Sequence, residues 1–306
     1  MRKGTKWIII ISGVVLFIGL LRTFLFTTCY IPSKGMEDNL KQGDRIIINK
    51  WSYGLRVPFS QKRIAAKHPQ KGDIILFNNP ADTISKDISN KEYFINTCIG
   101  LPGDTLYVDS LFLAHHIDSY FNPDEKIFYQ YPKAIDSKLD SISIQLNIQQ
   151  RSVLGSDKDS YIKSFTPYEY YLLKQYLTKK DSLEAIIYDK TKLYPLIIPK
   201  AKTSIKIEPW NLILIYNTIL LHEKEDVKLK DGVILLNNKP IDNYSFSQDY
   251  YWMTSNNCTS FMDSRQYGFV PYTHIIGKAC YVWFSKDPNK NIISGYRWDR
   301  ILKSIY

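Results

Sequence analysis

A run of apolar residues near the N-terminus limits where this chain can fold. Residues 7–21 carry no charged side chain, and Arg22 is the one charge between residues 7 and 26. A helix over 7–26 rises about 30 Å at roughly 1.5 Å per residue, which matches the thickness of a bilayer's hydrocarbon core. Arg22 lies close enough to the end of this run to extend its guanidinium to the lipid headgroups. The sequence therefore predicts one N-terminal transmembrane helix.

The charges that flank this run predict its orientation. Arg2, Lys3 and Lys6 precede it, and basic flanking residues stay on the cytoplasmic side of a membrane. We therefore expect the chain from about Thr27 onward to lie outside the cytoplasm. A cleaved signal peptide is the alternative, but residues 27–30 fit a small-x-small cleavage site poorly. The sequence favours an uncleaved anchor.

The overall composition is that of an ordinary globular protein. Of the 306 residues, 44% are hydrophobic and 23% are charged, so the chain can bury a sizeable core in one large or two small domains. The formal net charge is +10, and the basic excess is scattered. It indicates either a solvated basic surface or attraction to anionic lipid headgroups. No zinc-finger, RNP-like or Arg-rich motif is present, so we predict no nucleic-acid partner.

The cysteines and histidines do not have the spacing of metal ligands. None of the four cysteines forms a Cys-x-x-Cys pair, and the five histidines are not spaced as zinc ligands. We therefore predict no metal and no cofactor. Four cysteines allow three disulfide pairings, which the sequence leaves open, and buried free thiols are the simplest interpretation. The cysteines are Cys29, Cys98, Cys258 and Cys280.

Short β-branched runs separated by turn residues dominate much of the chain after the apolar run. Such a pattern predicts a mainly β fold with antiparallel strands. Asn237 and Asn238 follow one of these runs and indicate a hairpin turn. Strands are predicted over residues 44–50, 73–77, 94–100, 105–108, 233–236 and 281–284.

The middle of the chain, residues 110–230, has a different character. It contains polar stretches rich in Asp, Ser and Lys, together with helical patterns. Thr166, Pro167 and Glu169 have the order of an N-cap, a first helical residue and an N3 position. Residues 210–222 are apolar but too short to cross a membrane, so they predict a buried helix. We interpret this middle region as an α+β insertion.

Five motifs occur in a fixed order and together resemble the type I signal peptidases. These are membrane-anchored serine proteases with a Ser/Lys dyad, and residues 199–271 are most similar to their Bacteroidetes-type members. The resemblance implies a signal-peptidase-like antiparallel β core. The motifs are Pro-Ser-Lys-Gly-Met at 32–36, residues 43–56, residues 72–80, Gly-Leu-Pro-Gly-Asp at 100–104, and residues 263–279.

The resemblance also implies catalytic groups that this chain has replaced. The family's serine nucleophile corresponds to Gly35, which has no side chain to attack a carbonyl. The lysine that acts as general base corresponds to Asn96, and an amide is not a base near neutral pH. The serine that orients this lysine corresponds to Phe261. Ser33 matches the hydroxyl that contributes to the family's oxyanion hole.

The remaining matches are to residues that are structural in the family. Asp263 and Arg265 are expected to form an ion pair. A tight turn is expected at the fourth motif, from the residues Gly100, Pro102, Gly103 and Asp104.

Two functions follow from this pattern. The first is a catalytically inactive relative that binds extended signal-like peptides or a membrane partner, such as an active paralogous peptidase. The second is an active signal peptidase that cleaves after small residues with displaced groups, for example Ser33 with Lys34 or Lys50. The replaced residues favour the first. Both functions imply signal peptides or preproteins and the lipid bilayer as partners, at the inner membrane of a bacterium.

The motifs also predict how the chain is divided. Residues 1–26 form the cytoplasmic tip and the anchor. Residues 27–109 and 231–306 form the β core outside the cytoplasm, and residues 110–230 are inserted into it.

Overall fold

The structure is a computed structural model, which describes most of the chain. The described residues are 7, 10–15, 19, 25–32, 36, 40–57, 60, 62–85, 87–109, 112, 114–115, 127–148, 153, 155–178, 181–185, 193–223, 225–255, 262–291 and 294–305. Ser33, Lys34, Gly35, Cys258 and Phe261 lie outside the described residues.

The described chain is mainly β. Its strands are β1 (Phe26–Tyr30), β2 (Asp44–Asn49), β3 (Leu55–Arg56), β4 (Arg63–Ile64), β5 (Ile74–Asn78), β6 (Tyr93–Gly100), β7 (Thr105–Val108), β8 (Ala114–His115), β9 (Ile127–Pro132), β10 (Gly155–Ser156), β11 (Ser160–Phe165), β12 (Glu184–Ala185), β13 (Tyr194–Ile197), β14 (Ser204–Lys206), β15 (Val227–Lys230), β16 (Val233–Leu236), β17 (Lys239–Ile241), β18 (Asn243–Ser245), β19 (Tyr250–Thr254), β20 (Val270–Pro271), β21 (Ile275–Ser285) and β22 (Lys303–Ser304). The α-helices are α1 (Asp136–Gln145), α2 (Pro167–Tyr176), α3 (Leu212–His222) and α4 (Ser264–Tyr267). Short 3-10 turns lie at Lys50–Tyr53, Ile88–Asn90, Lys133–Ile135, Tyr272–His274 and Trp298–Arg300.

The chain divides into two compact units. The first contains Met1–Thr105 and Leu196–Tyr306, and the second contains Leu106–Pro195. Residues 196–230, which belong to the predicted insertion, group with the first unit.

An antiparallel sheet organises the first unit. Its strand order is β1-β2-β21-β5-β6-β19-β20, and β22 pairs with β21. All five residues of β5 are buried, because this strand lies inside the sheet and both of its faces are covered. Ile74 and Leu76 pack into one apolar cluster, and Ile75 and Phe77 pack into another. This explains why the strand reads as a continuous apolar run in the sequence.

Most predicted strands of this unit form as expected. β2, β5, β6, β16 and β21 contain the runs that were predicted, apart from their end residues. Asn237 and Asn238 join β16 to β17 with positive φ angles of 50° and 62°. Two successive positive φ values are typical of a type I′ hairpin turn, so the predicted hairpin is confirmed.

The apolar segment at 210–222 forms helix α3, but the prediction that it is buried holds for one side only. Ile215, Thr218 and Ile219 are buried. Ile213 and Leu220 are 54% and 47% exposed. The sequence cannot distinguish the two sides because both are apolar.

The second unit has its own sheet, core and helices. The sheet has the order β10-β11-β9-β12. Thr166 caps α2, and it exchanges hydrogen bonds with Glu169 as predicted. Lys163 is buried, and its ammonium lies 2.7 Å from the carboxylates of both Asp136 and Asp140. Two carboxylates offset the cost of burying one ammonium group.

The predicted transmembrane helix falls largely on residues that the structure does not describe. Trp7, residues 10–15 and Gly19 are helical. Within the described ranges, no helix is long and apolar enough to cross a membrane.

Candidate active site

Asn96, the residue that the sequence resemblance aligns with a general base, lies inside the main sheet. Its strand, β6, pairs with β5 on one side and with β19 on the other, and Asn96 is opposite Ile75. The side chain is 2% exposed. Burying an amide costs free energy unless it is hydrogen-bonded, so the stability of this position depends on a hydrogen-bond partner for Asn96.

That partner is Tyr267, the last residue of α4. Its phenol donates a hydrogen bond of 2.8 Å to Asn96 Oδ1. The Tyr267 ring stacks on Phe94 at 5.5 Å and contacts the edge of Phe77 at 5.9 Å. Burial raises the pKa of the Tyr267 phenol well above its ordinary value of 10, so the phenol keeps its proton at neutral pH. The position therefore holds a neutral, hydrogen-bonded pair.

Asp263 fixes the helix that carries Tyr267. Asp263 is fully buried, and its carboxylate caps α4 by accepting from the Arg265 backbone N–H at 3.0 Å. The same carboxylate pairs with the Arg265 guanidinium at 2.5 Å and accepts two bonds of 3.0 Å from Ser255. Ser264 Oγ accepts a bond of 2.9 Å from the Met253 backbone N–H of β19. The geometry thus contains the ion pair expected for Asp263 and Arg265.

A tight turn follows β6, at the fourth motif. Gly103 has φ +91°, a conformation that side chains rarely adopt. Asp104 Oδ2 accepts a hydrogen bond of 2.9 Å from the Leu101 backbone N–H, and it lies 3.0 Å from Lys71 Nζ. These contacts close the turn between β6 and β7.

Gly100 is required for a different reason. It pairs with Trp252, next to a shift in the register of β6 and β19. A Cβ at this position would lie 2.9 Å from Trp252 Cβ and 3.0 Å from Ile198 Cγ1. The close approach of the two strands leaves no room for a larger residue.

Cys98, two residues after Asn96 on the same strand, carries a thiol that could serve as an alternative nucleophile. It is fully buried, and burial raises the pKa of its thiol to about 12. The thiol is therefore protonated at neutral pH, and the thiolate is the form that attacks carbonyl groups. Cys29, Cys98 and Cys280 are free thiols. No group of three or more His, Cys, Asp or Glu side chains that could hold a metal ion occurs among the described residues.

The structure brings together two motifs that are distant in sequence. Asn96 lies on β6 beside the Gly100–Asp104 turn, and α4 connects it to Asp263 and Arg265 through Tyr267. The sequence interpretation missed Tyr267, although it lies between Arg265 and Gly268 in a motif that had been singled out. A polar aromatic residue in that motif was the signal that could have identified it.

The amino-acid sequence is similar to those of known signal peptidases. A family profile described as signal peptidase, peptidase S26, matches residues 4–117. The chain is 28% identical over 279 residues to a signal peptidase I of Buchnera aphidicola, which covers 91% of this chain and 74% of the relative. It is 24% identical to the signal peptidase I of Haemophilus influenzae, over 99% of this chain and 76% of the relative. A signal peptidase I of Pseudomonas fluorescens is 44% identical over 94 residues, which cover 30% of this chain and 31% of the relative. The chain is therefore similar in sequence to signal peptidases I over most of its length.

Proposed function

We propose that this chain is a catalytically silent member of its family that binds extended signal-like peptides at a membrane. The observation that carries the proposal is the buried hydrogen bond between Tyr267 and Asn96. In a Ser/Lys dyad, a neutral amine takes the proton of the serine hydroxyl, and an apolar pocket keeps that amine neutral. The Asn96 amide cannot accept this proton, and Gly35 offers no hydroxyl to lose one.

Peptide binding does not need the missing groups. An extended peptide pairs with a strand edge through main-chain hydrogen bonds, so it requires backbone geometry. Residues 31–36 and 93–104 are the family-like segments proposed to supply it, and residues 72–80 support them from inside the sheet, since β5 is paired on both sides. The relatives are named signal peptidases, and signal peptides or preproteins are therefore the proposed ligands. A membrane partner such as an active paralogous peptidase is the alternative ligand proposed for the same segments.

The proposed location is the inner membrane of a bacterium, with the apolar run at 7–26 as a single anchor. The aromatic side chains of Phe26, Tyr30 and Tyr281 support this location. They are 45–48% exposed, and the pairing of β1, β2 and β21 places them on one side of the sheet. This surface begins where the apolar run ends, and exposed aromatic residues are enriched at membrane interfaces.

An active peptidase with displaced groups is the competing proposal. Ser33 would attack the peptide bond, with Lys34 or Lys50 as the base. Ser33 and Lys34 are adjacent, so they would point to opposite faces of an extended segment. The burial of Cys98 argues against a thiol as the replacement nucleophile.

One experiment separates the two proposals. The full chain, purified in neutral detergent, is titrated with a fluorescent signal peptide and is then assayed for cleavage. We expect saturable binding with a Kd in the micromolar range, about −8 kcal/mol, and no cleavage. A peptide with bulky residues at the recognition positions is the control, and it should bind more weakly. Cleavage that Ser33→Ala abolishes would establish the active alternative, and no saturable binding up to millimolar peptide would refute a peptide-binding role.

The proposed topology has its own test. A reporter fused after Tyr306 should be active only when it is outside the cytoplasm. A fusion that works only in the cytoplasm would contradict the proposed orientation.

A further inference from the structure

We propose that Arg56 and Arg63 form a binding site for a phosphate oxyanion. They lie on the short hairpin of β3 and β4, where they are directly opposite each other. Like charges at directly opposed positions destabilise a strand pair. Both side chains are partly buried, so the repulsion is screened less than it would be in bulk water. The hairpin therefore needs a source of negative charge.

The inner side of each guanidinium is held by backbone carbonyls. Arg56 Nη2 donates to the carbonyl oxygens of Thr273 and Ile275, at 2.5 and 3.0 Å. Arg63 Nη2 donates to the same Ile275 oxygen. The Arg63 guanidinium lies over the ring of Tyr272, 4.9 Å from the centroid. These contacts fix both side chains in one place, but carbonyls and an aromatic ring carry no full negative charge.

No carboxylate pairs with either arginine in the part of the chain that the structure describes. The ion pairs found there involve other residues. Burial and the neighbouring charge of Arg63 lower the pKa of Arg56 to about 10. Both guanidiniums still carry their charge at neutral pH, so the positive charge of the pair is uncompensated.

Several N–H groups of the two guanidiniums donate to no acceptor among the described residues. A guanidinium has five N–H groups. Arg56 Nε and Nη1 and Arg63 Nε donate to none of the described residues. None of these nitrogens is among the buried atoms that lack a partner, so each of them reaches solvent. The pair thus presents oriented donors to an incoming ligand while its other donors are held in place.

A phosphate group has the chemistry that such a pair recognises. Guanidinium forks bind phosphate oxygens with two parallel bonds, and a tetrahedral phosphate has enough oxygens to meet two forks at once. A carboxylate has two oxygens and can satisfy one fork fully. Lys62 and Lys67 are exposed and lie next to the hairpin in sequence, and they add positive charge. The phosphate can come from a phospholipid headgroup or from a free phosphate.

The test uses the full chain in neutral detergent at constant ionic strength. Inorganic phosphate, dihexanoyl phosphatidylglycerol and acetate are titrated separately, and binding is followed by calorimetry and by the unfolding temperature. We expect at least one of the two phosphate compounds to bind saturably and to raise the unfolding temperature, and acetate to do neither. Binding of the lipid alone identifies a headgroup site, and binding of inorganic phosphate identifies a site for free phosphate. Equal effects of acetate and phosphate, or no saturable binding, would overturn the proposal.

Variants assign the effect to the pair. Arg63→Gln and Arg56→Gln should each weaken phosphate binding about tenfold or more. Lys62→Gln removes the same charge from the same hairpin, and it should change binding less than threefold. Arg63→Lys keeps the positive charge but lacks the planar fork of N–H donors, so it should also weaken phosphate binding. This variant tests the proposal even if a glutamine variant does not fold. Equal losses in Lys62→Gln and Arg63→Lys would mean that general charge attraction, and not the paired forks, binds the anion. This site does not depend on the proposed function of the Asn96 region.

Discussion

The phenol of Tyr267 donates a hydrogen bond of 2.8 Å to the side chain of Asn96, a residue 171 positions earlier in the chain. This bond joins α4 to β6 at the residue that the sequence resemblance aligns with a general base. Both groups are neutral, and a buried neutral pair avoids the free-energy cost of burying an ionised amine. The buried side chain of Asn96 therefore has a stabilising contact.

Tyr267→Phe should destabilise the protein by about 1–3 kcal/mol, because it leaves Asn96 Oδ1 buried without its donor. Urea unfolding would measure the change. Adding Asn96→Leu should recover part of the loss, since both polar groups are then absent, and a double-mutant cycle gives the coupling. Tyr281→Phe, which removes a phenol from the exposed surface, should change stability by less than about 0.5 kcal/mol. Additive effects of Tyr267→Phe and Asn96→Leu would show that the bond contributes nothing.

Restoring one catalytic group should not restore cleavage. Gly35→Ser supplies a hydroxyl but no base, so we expect no cleavage of a signal peptide above background. The triple variant Gly35→Ser, Asn96→Lys and Phe261→Ser supplies the nucleophile, the base and its orienting hydroxyl, and we expect it to show measurable cleavage. Groups of this kind act as a unit, and losing one costs about a million-fold in turnover. Cleavage by Gly35→Ser alone would reveal an unrecognised base.

Asp44→Asn should destabilise the main sheet by about 3–5 kcal/mol, because it removes one partner of a buried ion pair with the Arg300 guanidinium. Asp44 is fully buried, and its carboxylate lies 2.6 Å from Arg300 Nη2, whose side chain is 7% exposed. Thermal or urea unfolding would show the loss. The matched control is Asp226→Asn. Asp226 pairs with Lys228 at 3.6 Å, both side chains are more than half exposed, and its loss should cost less than about 1 kcal/mol.

Lowering the pH should destabilise the protein through His222 and His274. Their rings are 5.2 Å apart, and His274 Nε2 has no hydrogen-bond partner among the described residues. Burial lowers the pKa of His222 to about 4 and that of His274 to about 2, and the positive charge of Lys91 acts in the same direction. The unfolded chain therefore binds these two protons more tightly than the folded chain.

The free energy of unfolding should accordingly fall as the pH decreases below about 6.5, with a slope of up to about 1.4 kcal/mol per pH unit for each histidine. The decrease in the free energy of unfolding that protonation of His222 causes ends near pH 4, and the decrease that protonation of His274 causes continues to about pH 2. His274→Leu should flatten the profile between pH 6 and 4. An unchanged slope in His274→Leu would contradict the assignment.

Much of the local structure could be predicted because it depends on neighbouring residues. The apolar run of β5, the turn at Asn237 and Asn238, and the Thr166 cap of α2 each follow from side-chain and backbone preferences over a few positions. The helix at 212–222 was predictable for the same reason. Its partial exposure was not, since packing depends on residues far along the chain.

The sequence by itself determined which residues stand at the positions that resemble a nucleophile and a base, because Gly35 and Asn96 are fixed by the order of residues in the chain. The tertiary structure decided which side chain pairs with Asn96. The bond from Tyr267 to Asn96 and the pairing of Asp44 with Arg300 join residues 171 and 256 positions apart. Only the folding of the sheet brings such groups within hydrogen-bond distance, because a contact of this kind requires both strands to pair in one register, which no local preference specifies.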